Sequence, residues 1–358
     1  MRSFTVRLRY SHCPVPTWFS ETAMQRSAAF FGHTGMKKTL SILLLLAVLG
    51  QACKKHHDQP TVPENVYVTG DDGHNPILWS NGKTQILATD GGYGSQVLLD
   101  GSDVYVGGIS NPPKGINFAG PSGQFTIWKN GAASFIGTPS FIRDPIAIAL
   151  SGSDVYYSCG QVYKNGSLEQ LPGIGIRGYV SAAMAVGNDV YLAGDDSAGD
   201  GVYWKNGVLN VAAVNVNPSN LVDILSIYVS GNDVYIGGTD TLQRAAIWKN
   251  GIETPISNFG GQAIFNIRAI FVDATGAVYS TGNWVVGGTN APAYWKDGVQ
   301  VNLPLNGAAY GNATSIFVSG DDVYVAGTTA QGAVLWKNGA ATLLAAGGEA
   351  NSVVVKPQ

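Results

Sequence analysis

Asp322-Val-Tyr-Val-Ala-Gly327, followed closely by Ala333-Val-Leu-Trp-Lys-Asn-Gly339, is the clearest copy of a phrase that the chain repeats seven times. The Val-Tyr half recurs at Val66-Tyr67, Val104-Tyr105, Val155-Tyr156, Val190-Tyr191, Val234-Tyr235 and Val278-Tyr279. The aromatic half recurs as Trp79-Ser-Asn-Gly82, Trp128-Lys-Asn-Gly131, Tyr163-Lys-Asn-Gly166, Trp204-Lys-Asn-Gly207, Trp248-Lys-Asn-Gly251 and Trp295-Lys-Asp-Gly298. A β-rich period of roughly 40 to 45 residues is the mark of a propeller blade. The expected fold is all-β: a seven-bladed β-propeller of four-stranded blades.

The seventh copy sets out the parts of a blade. Ala313-Thr-Ser-Ile-Phe-Val318 reads as a first strand, Asp322 to Gly327 as a second, Ala333 to Trp336 as a third and Ala341 to Leu344 as a fourth. Asn-Gly between the third and fourth strands suits a two-residue hairpin turn whose central residues both take positive φ. The turn between the first and second strands recurs as Gly101-Ser-Asp103, Gly152-Ser-Asp154, Gly187-Asn-Asp189 and Gly231-Asn-Asp233, where the polar side chains are expected to bond the local backbone. Strands apolar on both faces, such as Ser226-Ile-Tyr-Val229, fit a sheet between two others, with the repeated Trp and Tyr as packing between blades.

The two ends of the chain indicate how the ring closes. The first copy starts at a second strand, Asn65 to Thr69, and the C-terminus carries an orphan, Ala350-Asn-Ser-Val-Val-Val355, that matches Ala313 to Val318 almost position for position. Residues 351 to 356 are therefore expected to complete the first blade and cover its open edge.

Ahead of the repeats, Met36-Lys-Lys38, the apolar run Leu40 to Leu49 and Gly50-Gln-Ala-Cys53 form the pattern of a bacterial lipoprotein signal, with Gly50 where a leucine is usual. The run is too short for a spanning helix, which needs about 20 apolar residues. The expected organisation is a mis-assigned start or extended signal region over 1–35, a signal peptide over 36–52, lipidation on Cys53, a polar tether over 53–63 and the propeller over 64–358. The membrane is engaged through the lipid anchor alone, in the cell envelope, at the outer membrane or cell surface.

Beyond residue 52 the chain has fifteen Lys and Arg against twenty-three Asp and Glu, a net charge near −8. That balance argues against a nucleic-acid partner. Cys159 is the one cysteine expected in the folded part, so no disulfide framework exists and a small buried thiol is the reading for it. With His74 as the only histidine there, neither a His-dependent nucleophile nor a His/Cys metal cluster is assembled, and no cofactor or metal is implied. Asp195-Asp-Ser-Ala-Gly-Asp200 is acidic but lacks the ligand spacing of a calcium loop.

The Trp-Lys-Asn-Gly and Asp-Val-Tyr repeats resemble a kelch-like propeller and are similar to uncharacterised Bacteroidota-type surface lipoproteins. The resemblance covers residues 64 to 358 and implies fold and anchoring, with no activity attached. The Tyr, His and Cys copper ligands of galactose-oxidase-type kelch enzymes are absent from this sequence. Asp196-Ser-Ala198 and Asp240-Thr-Leu242 resemble the O-glycosylation triplet of such bacteria.

Up-and-down strands put both tight turns of every blade on one face and the long, variable connections on the other. Variable loops on a rigid frame are where binding is expected. The candidate ligand-binding residues on that face are Tyr93, Phe141, Arg143, Arg177, Tyr179, Trp284 and Tyr310. Aromatics with arginine suit an unidentified glycan, peptide or protein partner held by a monomeric, non-enzymatic module. The alternative is a polysaccharide hydrolase or lyase using loop carboxylates such as Asp195, Asp196 and Asp200.

Overall fold

A computed structural model describes residues 64–110, 123–137, 146–175, 178–214, 222–256 and 264–357 of the 358-residue chain. The expected signal, Cys53 and the tether lie outside the described residues. The described residues contain twenty-eight strands and no helix, in seven antiparallel four-stranded sheets. Six sheets keep simple chain order from an inner to an outer strand, and the seventh is closed by a distant segment.

That closed sheet is blade one, which runs Ala350–Pro357, Glu64–Asp71, Pro76–Ser80 and Lys83–Ile86 in spatial order. Val353 pairs with Val68 and Val355 with Val66, so the C-terminal strand supplies the missing inner strand as the sequence implied. The inner strands of blades two to seven are Gly92–Asp100, Ala147–Ser151, Tyr179–Val186, Asp223–Ser230, Ile264–Val272 and Gly311–Ser319. Each lies beside the next in this order, and the last returns to Ala350–Pro357, completing the ring.

Seven apolar clusters fill the seven seams between blades. At the closing seam Tyr324 and Ala326 of blade seven meet Val68, Ile77, Trp79, Val353 and Val355 of blade one. The repeated tryptophans Trp79, Trp128, Trp204, Trp248, Trp295 and Trp336 are all at most 2% exposed, which confirms them as packing between blades. Blade three has Tyr163 at this position, and the space is filled by a stack in which Phe125 and Tyr163 flank Tyr157 at 4.2 and 5.0 Å. Cys159, just beyond the strand Asp154–Ser158 rather than inside it, is 1% exposed, and burial pushes its thiol up to about 12. It is an inert core group.

The repeated aspartates do something other than the local turn bonding expected of them. In blade four Asn206 takes φ 50°, donates from Nδ2 to Asp189 at 2.7 Å and accepts at Oδ1 from the Val190 N–H at 2.8 Å. Lys205 pairs with the other Asp189 oxygen at 2.8 Å while its ammonium lies 5.3 Å from the centre of the Tyr191 ring. The same arrangement links Asp103, Lys129 and Asn130, as well as Asp154, Lys164 and Asn165. It recurs at Asp233, Lys249 and Asn250 and at Asp322, Lys337 and Asn338. Asp-Val-Tyr and Lys-Asn-Gly are thus two halves of one clamp between the second and third strands. The lysine and then the asparagine hold the Asp103, Asp154, Asp189, Asp233 and Asp322 carboxyls below their ordinary range.

The two departing blades change both halves together. Blade one has Asn65 for the aspartate and Ser80 for the lysine, and the amide pair Asn81–Asn65 remains at 2.9 Å. Blade six has Ala277 for the aspartate, and its turn residue Asp297 still accepts from the Val278 N–H at 2.8 Å.

Deleting residues 350 to 358 removes the inner strand of blade one, so the midpoint of thermal unfolding is expected to fall sharply or the chain to aggregate; an unchanged midpoint would contradict ring closure. Asn206→Ala leaves the Val190 N–H without its acceptor and puts alanine, which lacks asparagine's tolerance of the left-handed region, at positive φ, so an unfolding free energy lower by about 2 kcal/mol is expected in denaturant titration. Asn206→Gly keeps the backbone angle and is expected to lose only about 1 kcal/mol.

Candidate functional site

Inner strands carry a second repeated device, which the sequence reading did not identify. A one-residue bulge interrupts the pairing of the inner strand in blades one, two, four, five, six and seven, and such bulges re-aim the extra side chain. The extra residues are Asn351, Ser95, Ser181, Leu225, Arg268 and Thr314, and blade six has a second bulge at Phe265. Four of them reach across a seam to the next inner strand. Asn351 Nδ2 donates to the Gly94 carbonyl at 2.9 Å, Ser95 Oγ to Ile146 at 2.8 Å, Thr314 Oγ1 to Ala350 at 2.6 Å, and Ser181 Oγ to Ile224. The signal was present in the sequence, because Thr314 and Asn351 occupy the same place in the two matching stretches.

Arg268 takes the bulge position in blade six and is exposed there. It puts a cation on the innermost layer at the level where blade seven has the Thr314 hydroxyl and blade five has Leu225. Close by in the ring, blade six extends its second and third strands, Val278–Val286 and Thr289–Lys296, into a hairpin that turns at Gly287-Gly288 on the loop face. Asn290 of this hairpin donates to Asn312 of blade seven at 3.0 Å.

The candidate aromatics divide between framework and surface. Tyr93 is half-buried and packs on the cluster that contains Ile109, Phe125 and Tyr157, in the seam of blades two and three. Tyr179 is 7% exposed, and its hydroxyl donates to the Asp223 carboxylate of the next blade. Trp284 is half-buried against the blade five and six cluster of Tyr235, Ile256 and Ile267, with its buried indole N–H unpaired among the described residues. Tyr310, directly before the inner strand of blade seven, is 47% exposed. The four described candidates divide in two: Tyr93 and Tyr179 belong to blades two and four, whereas Trp284 and Tyr310 are on the neighbouring blades six and seven. Phe141, Arg143 and Arg177 lie outside the described residues.

The acidic loop residues are engaged in structure. Asp195 is 6% exposed and accepts from the Ile224 N–H at 3.3 Å. Asp196 Oδ1 accepts from the N–H groups of Ala198 and Asp200 at 2.8 and 3.0 Å. Asp240 repeats that turn with Leu242 and Arg244, both at 2.8 Å, and its second oxygen takes the Arg244 Nε–H at 2.7 Å. At the closing seam, burial and then the neighbouring Glu349 push the Asp71 carboxyl up, although the Gly73 N–H donates to it at 2.8 Å. Among the described residues no three His, Cys, Asp or Glu side chains are grouped as ligands for a metal ion.

No protein-family model and no curated protein matches this chain. The seven-bladed propeller therefore rests on the structure itself, and the kelch-like and lipoprotein resemblances rest on the quoted residues alone.

Proposed function

We propose that this propeller is a non-enzymatic binding module. It is anchored in the cell envelope through a lipid on Cys53 and acts as a monomer. Its loop face holds a glycan, peptide or protein partner, with the contact centred on blades six and seven. The observation that carries this reading is the grouping of the exposed Tyr310, the exposed Arg268 and the tied hairpin with Trp284 on neighbouring blades. An aromatic face beside a guanidinium and amides offers stacking and fixed hydrogen bonding together, the combination that polar ligands with apolar faces require. The framework bonds of Asp195, Asp196 and Asp240 favour binding over hydrolysis, because these carboxylates already serve backbone groups.

Glycan-array and pull-down experiments test the reading. Saturable retention without turnover is expected, weakened roughly tenfold or more by Tyr310→Ala or Arg268→Ala at unchanged unfolding midpoint. Polysaccharide turnover that disappears when Asp195, Asp196 or Asp200 becomes Ala would overturn it in favour of an enzyme. Anchoring is tested separately by fractionation: Cys53→Ala is expected to release the protein from membranes, and continued retention would refute lipidation.

A further inference from the structure

The two halves of the central channel differ in chemistry. Toward the loop face the inner strands present the bulge residues, four of which bridge the seams through polar groups. Toward the tight-turn face, a cavity of about 280 Å³ opens between the inner strands of blades two to five. Its walls are Leu98, Leu150, Met184, Ala185 and Tyr228, with Gln96 at the inner end. Pairing places these wall residues within a few positions of the turns: Leu98 lies opposite Tyr105, Met184 opposite Tyr191 and Tyr228 opposite Tyr235. From Tyr228 an aromatic row continues around the ring through Phe271 and Phe317, with centroids 5.0 and 4.8 Å apart.

Three features make this cavity more than a gap in the core. Leu98, Leu150, Met184, Ala185, Tyr228, Phe271 and Phe317 are only half-buried, whereas the strand neighbours Val97, Ala149, Ile270 and Ile316 are buried in the seams. The mouth is bordered by turns as short as Gly101-Ser102, Gly152-Ser153, Gly187-Asn188 and Gly231-Asn232, too short to fold over the axis. Gln96, at the inner end, is held in place, since its Oε1 accepts from the Ile148 N–H at 2.7 Å, and its amide N–H groups give that end a polar donor. Leu98, Leu150, Met184 and Ala185 give the cavity apolar side-chain walls that suit an apolar molecule, and about 150 Å³ suffices for benzene. The volume here matches two or three fused rings, and an aromatic row on the adjoining wall offers tilted or stacked contacts.

We propose that the tight-turn end of the channel is a binding site for a neutral, apolar, ring-bearing molecule, distinct from the loop face. The phenol of Tyr228, held up above its ordinary range by burial and then by Asp273, stays neutral in that site.

Met184 is the one methionine of the propeller, since the others are Met1, Met24 and Met36, and its methyl is a reporter inside the cavity. The probe is 1-aminoanthracene, titrated into the full chain produced without export and labelled with ¹³C at methionine methyls, with Met184→Leu fixing the assignment. Saturable one-to-one fluorescence enhancement with a ring-current shift of the Met184 methyl is expected. Ala185→Phe, which fills the cavity, is expected to weaken binding roughly tenfold or more at an unchanged unfolding midpoint. Tyr310→Ala and Arg268→Ala are expected to leave it unchanged. Absence of saturable binding, binding that leaves the Met184 methyl unmoved, or undiminished affinity in folded Ala185→Phe would each overturn the proposal. If Ala185→Phe does not fold, the wild-type methyl shift alone decides.

Discussion

Ring closure is the constraint on which the rest of this structure depends. Every blade is a sheet that is apolar on both faces, so each needs a neighbour on either side, and a linear stack would leave two bare faces. Pairing Ala350–Pro357 with Glu64–Asp71 removes both at once and joins residues from opposite ends of the propeller. That contact carries a large loop-closure cost, which is repaid only when all seven seams form. The bulge side chains strengthen the same contact, because Thr314 and Asn351 bond across the seams on either side of the closing strand.

Within a blade, the clamp of Asp, Lys and Asn fixes the register of the second and third strands close to the tight-turn face. The coordinated changes in blades one and six show that what persists is the turn side chain accepting from the valine N–H, whether that side chain is Asn or Asp. The lysine is the dispensable part, because an exposed ion pair contributes little, whereas an unpaired backbone N–H is costly. Repetition therefore records local hydrogen bonding and packing, and the repeated charges are framework.

Blade number, the Asn-Gly turns and the closing strand were all legible in the sequence, since each depends on short-range pattern or on the match between Ala313–Val318 and Ala350–Val355. The partners of the aspartates were not. Asp189 and Asn206 are close in space only after the hairpin forms, so the local turn was the nearer reading. Tyr93 and Tyr179 look like loop aromatics in the sequence because they sit at the variable ends of strands. The fold turns them into the seams, where Tyr179 finds Asp223. Arg268 went unnoticed because a bulge, which no residue type in Ile264–Val272 announces, leaves it exposed. The axial cavity is a property of blade arrangement around an axis and has no linear signature.

The propeller thus presents two surfaces of different origin. Non-repeating loops and Arg268 shape one end, while residue choice at repeated inner-strand positions shapes the other. Both require a closed ring, and native-state hydrogen exchange tests that closure most directly. With a closed ring, amides of residues 353 to 355 exchange only through the global unfolding that exposes the strand Asp322–Thr329, with equal protection free energies. Exchange of residues 353 to 355 at the rate of a fraying terminus, while Asp322–Thr329 stays protected, would contradict it.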